Sequence, residues 1–272
     1  MTWRLIPYQS HSAFQNMAID EAIFRETLKH QKPPTLRFFG WHPAAVSVGY
    51  FQDVPKEIHV GRCRSAGVDM VRRMTGGKAV YHQDEITYSL SAGPWERRFP
   101  DGILRTYEII SSCLARGLSE LGIHAMLAEK SALARKKERA PCCFSEPAGK
   151  ELTVDGRKIC GSAQVRSHGG FLQHGSLLMT FDPAATAALI QSPAPPEQLR
   201  NRAVGVNELV ETPVSAEELC EALRRGFCDA LGVDFCEGEL TPEEKAMSDR
   251  LVKKYESDAW NRERKKEDGP AV

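Results

Sequence analysis

Residues 141–166 read PCCFSEPAGKELTVDGRKICGSAQVR, and the second half of that stretch decides the fold. Residues 151–154 are extended, Asp155-Gly156 is a tight-turn dipeptide, and residues 158–166 are extended again. Strand, two-residue turn and strand make an antiparallel hairpin. The first half carries chemistry. It sets a cysteine, Cys142 or Cys143, on a Pro-bounded loop, and the hairpin then returns Lys158 on its second strand. A cysteine alone is a small hydrophobe. Held beside an ammonium it is a candidate thiolate, because the positive charge favours the ionised form of a thiol whose ordinary pKa is about 8.5. Covalent acyl chemistry is the first expectation.

Outward from the hairpin, residues 171–180 form a further strand. Upstream, residues 13–29 carry the helical period, with Ser12 as N-cap and Phe14, Met17, Ala18 and Ala22 on one face. Residues 35–39 and 45–50 are strand-like, separated by a turn over Gly40 to Pro43, and residues 68–73, 79–82 and 86–91 continue the β pattern. A helix is expected over about 104–121, and residues 128–141 read as a charged, irregular loop. Downstream, Pro193, Pro195 and Pro196 break the chain, residues 216–231 are strongly helical in period, and Thr241-Pro242 opens a last helix with Thr241 as cap. The end, RERKKEDGPAV, reads as a solvated tail. Strands and helices do not alternate strictly. An α+β fold with mixed or antiparallel sheets flanked by helices is expected, as a catalytic domain over 1–235 and a helical segment with its tail over 236–272.

Bulk composition excludes several classes of function. The 272 residues are 42% apolar and 26% charged, with 36 basic and 36 acidic side chains, so no net field draws the chain to nucleic acid or to a membrane surface. No apolar run approaches the ~18–20 residues that span a bilayer, and MTWRLIPYQS lacks the features of a signal peptide. A cytoplasmic protein is expected. The eight cysteines contain no C-x-x-C pair and no zinc spacing; neither a metal site nor a disulfide framework is expected.

The second informative stretch is RRMTGGKAVYH, residues 72–82. It joins two strands, so it is neither a Walker loop nor a dinucleotide fingerprint, both of which lead into a helix. Paired glycines let the backbone approach a ligand closely, and an ordinary hairpin turn explains Gly76-Gly77 equally well. Arg72, Arg73, Tyr81 and His82 tip the balance toward a binding site.

Together RRMTGGKAVYH, GRKICGSAQVR (156–166), FLQHGSLL (171–178), NMAIDEA (16–22) and GWHPAAVSVGYFQ (40–52) resemble the lipoate–protein ligase and octanoyltransferase superfamily, to which biotin–protein ligases are related. The resemblance runs to about Trp260 and implies that superfamily's catalytic-domain fold. Its ligases activate a free acid with ATP. Its octanoyltransferases take the acyl group from a carrier-protein thioester, and those of the LipM type pass it through a cysteine in a Cys-Phe-x-x-Pro segment fifteen residues before the Gly-Arg-Lys lysine. Cys143-Phe144-Ser145-Glu146-Pro147 has that form and that spacing to Lys158. Two departures stand out: Cys142 adds a second thiol beside Cys143, and Ala148 occupies a position where the family often has serine.

The resemblance implies Cys143 as nucleophile and Lys158 as the cation that stabilises its thiolate and later takes a proton. Arg72, Arg73, Gly76, Gly77, His82, Gly161, Ser162 and His174 are the implied substrate-binding residues. Oxyanion donors come from backbone near Gly161-Ser162 or Gly76-Gly77. His82 and His174 either line the acyl tunnel or are hydrogen-bonded core histidines, and of Arg72 and Arg73 one is expected in an inner salt bridge and one facing ligand. The implied partners are octanoyl-acyl carrier protein, whose phosphopantetheine bears the acyl group, and a lipoyl-domain acceptor such as glycine cleavage H protein or a dehydrogenase E2 subunit. The basic run Arg135-Lys136-Lys137 is either a solvated loop or a dock for such acidic domains. No ATP, metal or other cofactor is expected, and the chain is expected to be a monomer. Amidotransfer between lipoyl-domain proteins and ATP-dependent lipoate ligation are the alternatives.

Overall fold

The computed structural model describes residues 2–128, 151–191 and 194–264. Cys142, Cys143, the basic run 135–137 and nearly all of the 128–141 loop lie outside the described residues. Strand β1 (Thr2–His11) leads into α1 (Ala13–His30). Ser12 caps α1 reciprocally: its hydroxyl accepts the Gln15 amide at 3.2 Å, and the Gln15 side chain accepts the Ser12 amide at 3.4 Å. Then come β2 (Thr35–Trp41), β3 (Ala45–Val48), the short helices α2 (Val54–Glu57) and α3 (Val60–Ser65), β4 (Asp69–Arg72), β5 (Val80–His82) and β6 (Glu85–Ala92). Helix α4 (Ile103–Glu120) precedes β7 (Met126–Leu127), β8 (Leu152–Val154), β9 (Arg157–Ser167) and β10 (Gly170–Leu178). The remainder holds α5 (Pro183–Leu189), α6 (Pro196–Arg200), α7 (Ala216–Leu231), β11 (Asp234–Glu237), α8 (Pro242–Glu256) and α9 (Asp258–Asn261).

The expected hairpin is β8–β9. Asp155 and Gly156 have φ of 49° and 76°, the left-handed pair that a two-residue turn of matching twist requires. Among the described residues the large sheet runs β11-β1-β2-β6-β10-β9-β8-β7 and the small one β4-β3-β5. β1 is parallel to both of its neighbours, whereas β2, β6, β10, β9 and β8 pair antiparallel. The architecture is α+β with mixed sheets flanked by helices.

Two local expectations change. β2 does not turn at Gly40 but continues through Trp41, and β2 and β3 enter different sheets. β4 and β5 lie on either side of β3, so the Gly76-Gly77 loop crosses over β3 and is not a hairpin turn. β1 and β11 were not expected. β1 mixes polar and apolar residues, and β11 is a four-residue edge strand with three residues exposed, one half-buried and none buried; neither carries a clear period.

Strand alternation divides the interior. Leu36 and Phe38 of β2 join Ile86, Tyr88 and Leu90 of β6 against α4 and α7, where Ile110, Leu114, Leu118, Leu223 and Phe227 complete a core. On the other face Phe39 and Trp41 meet Ala13, Met17, Ala18 and Ala22 of α1, with Val71 of β4 and Leu251, Tyr255 and Trp260 near the end of the chain. Helix α1 is therefore enclosed by two sheets and α8, which is why even Asn16, Asp20, Glu21 and Glu26 are buried. Among the described residues no helix is long and apolar enough to cross a membrane.

Candidate functional site

The two sheets meet at a small cavity. Its walls come from α1 (Met17), β2 (Trp41), the glycine loop (Arg73, Gly77, Lys78), β5–β6 (Val80, His82, Thr87), β9 (Gly161, Ser162, Ala163) and β10 (His174, Gly175, Ser176). Of the residues implied by sequence, Arg73, Gly77, His82, Gly161, Ser162 and His174 are brought together here. Arg72 and Lys158 are buried beside it without lining it, and Gly76 contributes a carbonyl to the loop. Cys143 lies outside the described residues.

Arg72 is an anchor. Its guanidinium donates to the carbonyls of Gly49, Tyr50, Gln52, Trp260 and Asn261, and Asn261 Oδ1 accepts its amide at 2.7 Å. Carbonyls rather than a salt bridge hold it, and burial pulls it down to about 10. Arg73 works on the loop: Nη2 donates to the carbonyls of Gly76 and Lys78, both at 3.0 Å. Planarity of the peptide then turns the amides of Gly77 and Ala79 away from the guanidinium. Gly49 lies beneath; a Cβ there would come within 2.1 Å of the Gly77 carbonyl oxygen.

Both histidines sit in one-way hydrogen-bond chains that end on this loop. In the first, Arg73 Nη1 donates to Ser47 Oγ (2.6 Å), Ser47 to His82 Nε2 (2.5 Å) and His82 Nδ1 to Glu85 Oε1 (2.8 Å). Trp41 stacks on His82 at 4.0 Å and donates to Thr87, which donates to Glu85. In the second, Thr75 donates to His174 Nε2 (2.8 Å) and His174 Nδ1 to Asp20 Oδ2 (3.2 Å), while Arg37 and Ser89 serve Asp20 Oδ1. Burial lowers the His174 pKa, against the pull of Asp20. Burial alone would raise Asp20, but His174, Arg37 and Ser89 together hold it below the usual carboxylate range. Glu85 is likewise lowered, its burial outweighed by His82, Thr87 and Ser176. Each histidine is hydrogen-bonded in the interior, and each lines the cavity.

A second cluster lies beside the cavity. Lys158 Nζ donates to Glu151 Oε1 at 2.5 Å. Ser162 Oγ is 2.8 Å from Tyr88 Oη and 3.6 Å from Cys160 Sγ, and Gln173 donates to Tyr88. Tyr107 of α4 joins them; burial, then Cys160, push its phenol up, and Lys158 pulls the other way. Sequence reasoning missed Ser47, Asp20, Glu85 and Glu151. Asp20 sits inside NMAIDEA and Glu85 three residues after His82, so both had a signal; Glu151 had only its place at the head of the hairpin.

The lining mixes the apolar Met17, Trp41 and Val80 with Arg73, Lys78, hydroxyls and imidazoles. Among the described residues no three His, Cys, Asp or Glu side chains are placed to hold a metal ion.

The lipoyl protein ligase A/B catalytic domain profile matches residues 12–228. The chain is 41% identical over 271 residues to the LipM octanoyltransferase of Kyrpidia tusciae, covering 96% of this chain and 98% of that one. It is 37% identical to the LipM octanoyltransferase of Bacillus subtilis, covering 97% and 99%. Among solved structures, lipoate-protein ligase A bound with ATP superposes with a TM-score of 0.81 at 28% identity, over 96% of this chain and 98% of that one. A bipartite lipoate protein ligase from Thermoplasma acidophilum, described with its E2 lipoyl domain, superposes at 0.80 with 26% identity over 98% and 99%. With near-complete coverage and every quoted motif inside the matched range, this chain belongs to the lipoyl protein ligase A/B catalytic-domain family and, within it, to the LipM-type octanoyltransferases.

Proposed function

We propose that the protein moves an octanoyl group from octanoyl-acyl carrier protein to the lipoyl-domain lysine of an acceptor, glycine cleavage H protein or a dehydrogenase E2 subunit, through a thioester on Cys143. The observation that carries this reading is full-length similarity to LipM octanoyltransferases, joined to the Cys143-Phe144 segment fifteen residues ahead of Lys158.

The Cys143 thiolate attacks the carrier thioester, the carrier sulfur leaves, and the acceptor amine then attacks the acyl-enzyme to give an amide. Arg73, Gly77, His82, Gly161, Ser162 and His174 bind the acyl chain and its carbonyl, and Lys158 serves the thiolate and the proton transfers. Thioester exchange is near isoenergetic and amide formation runs downhill, so neither ATP nor a metal is used. The chain acts as a monomer.

Intact-mass measurement after incubation with octanoyl-acyl carrier protein, without ATP, tests this. An octanoyl adduct that hydroxylamine removes and that Cys143→Ser abolishes is the expected result. Full turnover in Cys143→Ser discards the covalent route. A strict demand for ATP supports lipoate ligation instead, the reading favoured by the superposition on lipoate-protein ligase A.

A further inference from the structure

The outer edge of β4 is closed at one residue and open two residues earlier. β4 pairs parallel with β3 in the register Asp69–Ala45, Met70–Val46, Val71–Ser47 and Arg72–Val48, and among the described residues no strand lies on its other side. The amides of Asp69 and Arg73 donate to the Ala44 and Val48 carbonyls at 3.0 and 2.9 Å. Backbone groups of successive strand residues point to opposite sides, so those of Met70 and Arg72 face outward. Arg72 is closed off there. Asn261 Oδ1 accepts its amide at 2.7 Å and Trp260 Nε1 donates to its carbonyl at 2.9 Å, so two side chains stand in for a neighbouring strand. The Met70 amide and carbonyl meet no hydrogen-bond partner among the described residues.

A cleft wraps this open position on both faces of β4. Toward α1 it is walled by Phe14, Asp69 and Val71, and toward α2 and α3 by Val54, Ile58 and Val68. The Met70 side chain packs on the second wall. Asp69 is half-buried, its Oδ2 accepting the Ala13 amide at a long 3.4 Å, and burial raises its carboxyl. On the rim Asp258 holds Arg262 at 3.1 Å. That leaves Asp69 and Glu256 against Arg64, a net negative lining.

We infer that this edge accepts a short extended segment of a partner polypeptide, added to β4 as a further strand, with an apolar residue opposite Met70 and basic residues flanking it. Met70 offers that strand one amide donor and one carbonyl acceptor, the main-chain pairing by which sheet edges bind peptides. Alternation sends the residue opposite Met70 to the Val54–Ile58–Val68 wall and its neighbours toward Asp69. Asn261 and Trp260 already occupy the edge at Arg72, which keeps the added segment short. None of this depends on the transfer chemistry at the first cavity.

The probe is the acetylated, amidated peptide Thr-Lys-Val-Lys-Thr, with Thr-Glu-Val-Glu-Thr as its charge-reversed counterpart. Each is titrated into the full chain while amide exchange is followed by NMR. The lysine peptide is expected to slow exchange of the Met70 amide about tenfold or more at saturation. It is expected to bind about tenfold more tightly than the glutamate peptide, a preference that Asp69→Asn shrinks. Met70→Pro removes the outward amide without taking a bond from the β3–β4 ladder, and Asp69, within β4, is already extended as a following proline requires. It is expected to weaken binding about tenfold or more, and Met70→Val to stay within about threefold of wild type. The exchange reading is taken on wild type, so it stands even where Met70→Pro fails to fold. Absence of binding at about 1 mM lysine peptide overturns the inference, as does binding that leaves Met70 exchange unchanged. Protection of Met70 that grows with protein concentration in the absence of peptide gives the edge to a second copy of this chain, and overturns it too.

Discussion

Arg72 and Arg73 are adjacent and both buried, yet their partners give them separate duties. Arg72 satisfies five backbone carbonyls drawn from the β3 end and the α9 end of the chain. Arg72→Ala leaves those acceptors without a donor and is expected to lower stability by on the order of 3 kcal/mol or more, read as a drop in the urea midpoint. Ser47→Ala removes one hydroxyl between Arg73 and His82 with little change of volume. Its expected signature is a fall in kcat of about tenfold with a smaller change in KM, because it loosens the loop while leaving the cavity walls intact. Equal loss in stability and activity would assign Ser47 to the fold alone. Adjacent arginines read identically in sequence; only the crossing of β3 by the loop separates their roles.

At the scale of elements, α4 and α7 approach through two glycines. A Cβ on Gly226 would lie 2.3 Å from the Cys113 carbonyl oxygen and 2.5 Å from the Gly117 nitrogen. Alanine improves intrinsic helix propensity by about 1 kcal/mol, yet here it must push two backbones apart. Gly226→Ala is therefore expected to destabilise by about 1–3 kcal/mol, and a gain in thermal midpoint would show that the contact is soft. Sequence made α7 legible to the residue, since Ser215 caps it and its apolar stripe is regular. It also disclosed the β8–β9 hairpin, because Asp155-Gly156 has one favoured conformation. It hid β1 and β11, whose pairing is settled by distant partners, and it hid the split of β2 and β3 between sheets, because a local period carries no information on which sheet a strand joins. Arg73, Gly77, His82, Gly161, Ser162 and His174 were named by motif; the carboxylates behind the cavity were not, because a buried acid and a solvated one look alike in one dimension.

Across the whole molecule, buried titratable groups define a window of stability. Asp20, Glu21, Glu85 and Glu244 are all held below ordinary carboxylate values. Their contribution is complete above the ordinary range and is lost as the pH falls through the lowered values. His174 is also lowered, so below about 6.5 the unfolded chain binds a proton that the folded chain refuses, and stability declines from there. Tyr88 and Tyr255 are raised well above 10.0, chiefly by burial. Above that pH the unfolded chain releases protons that the folded chain keeps, and stability falls again. Urea midpoints are expected to be highest between about pH 7 and 9.5 and to decline on both sides; a profile still rising below pH 6 would contradict these signs. The far end of the chain also reaches back to the site. Trp260 donates to the Arg72 carbonyl at 2.9 Å, Asn261 grips Arg72, and β11 pairs with β1. During synthesis, then, the first strand and the arginine beneath the glycine loop wait for partners that leave the ribosome roughly two hundred residues later, and the frame around the cavity stays open until those residues have been translated.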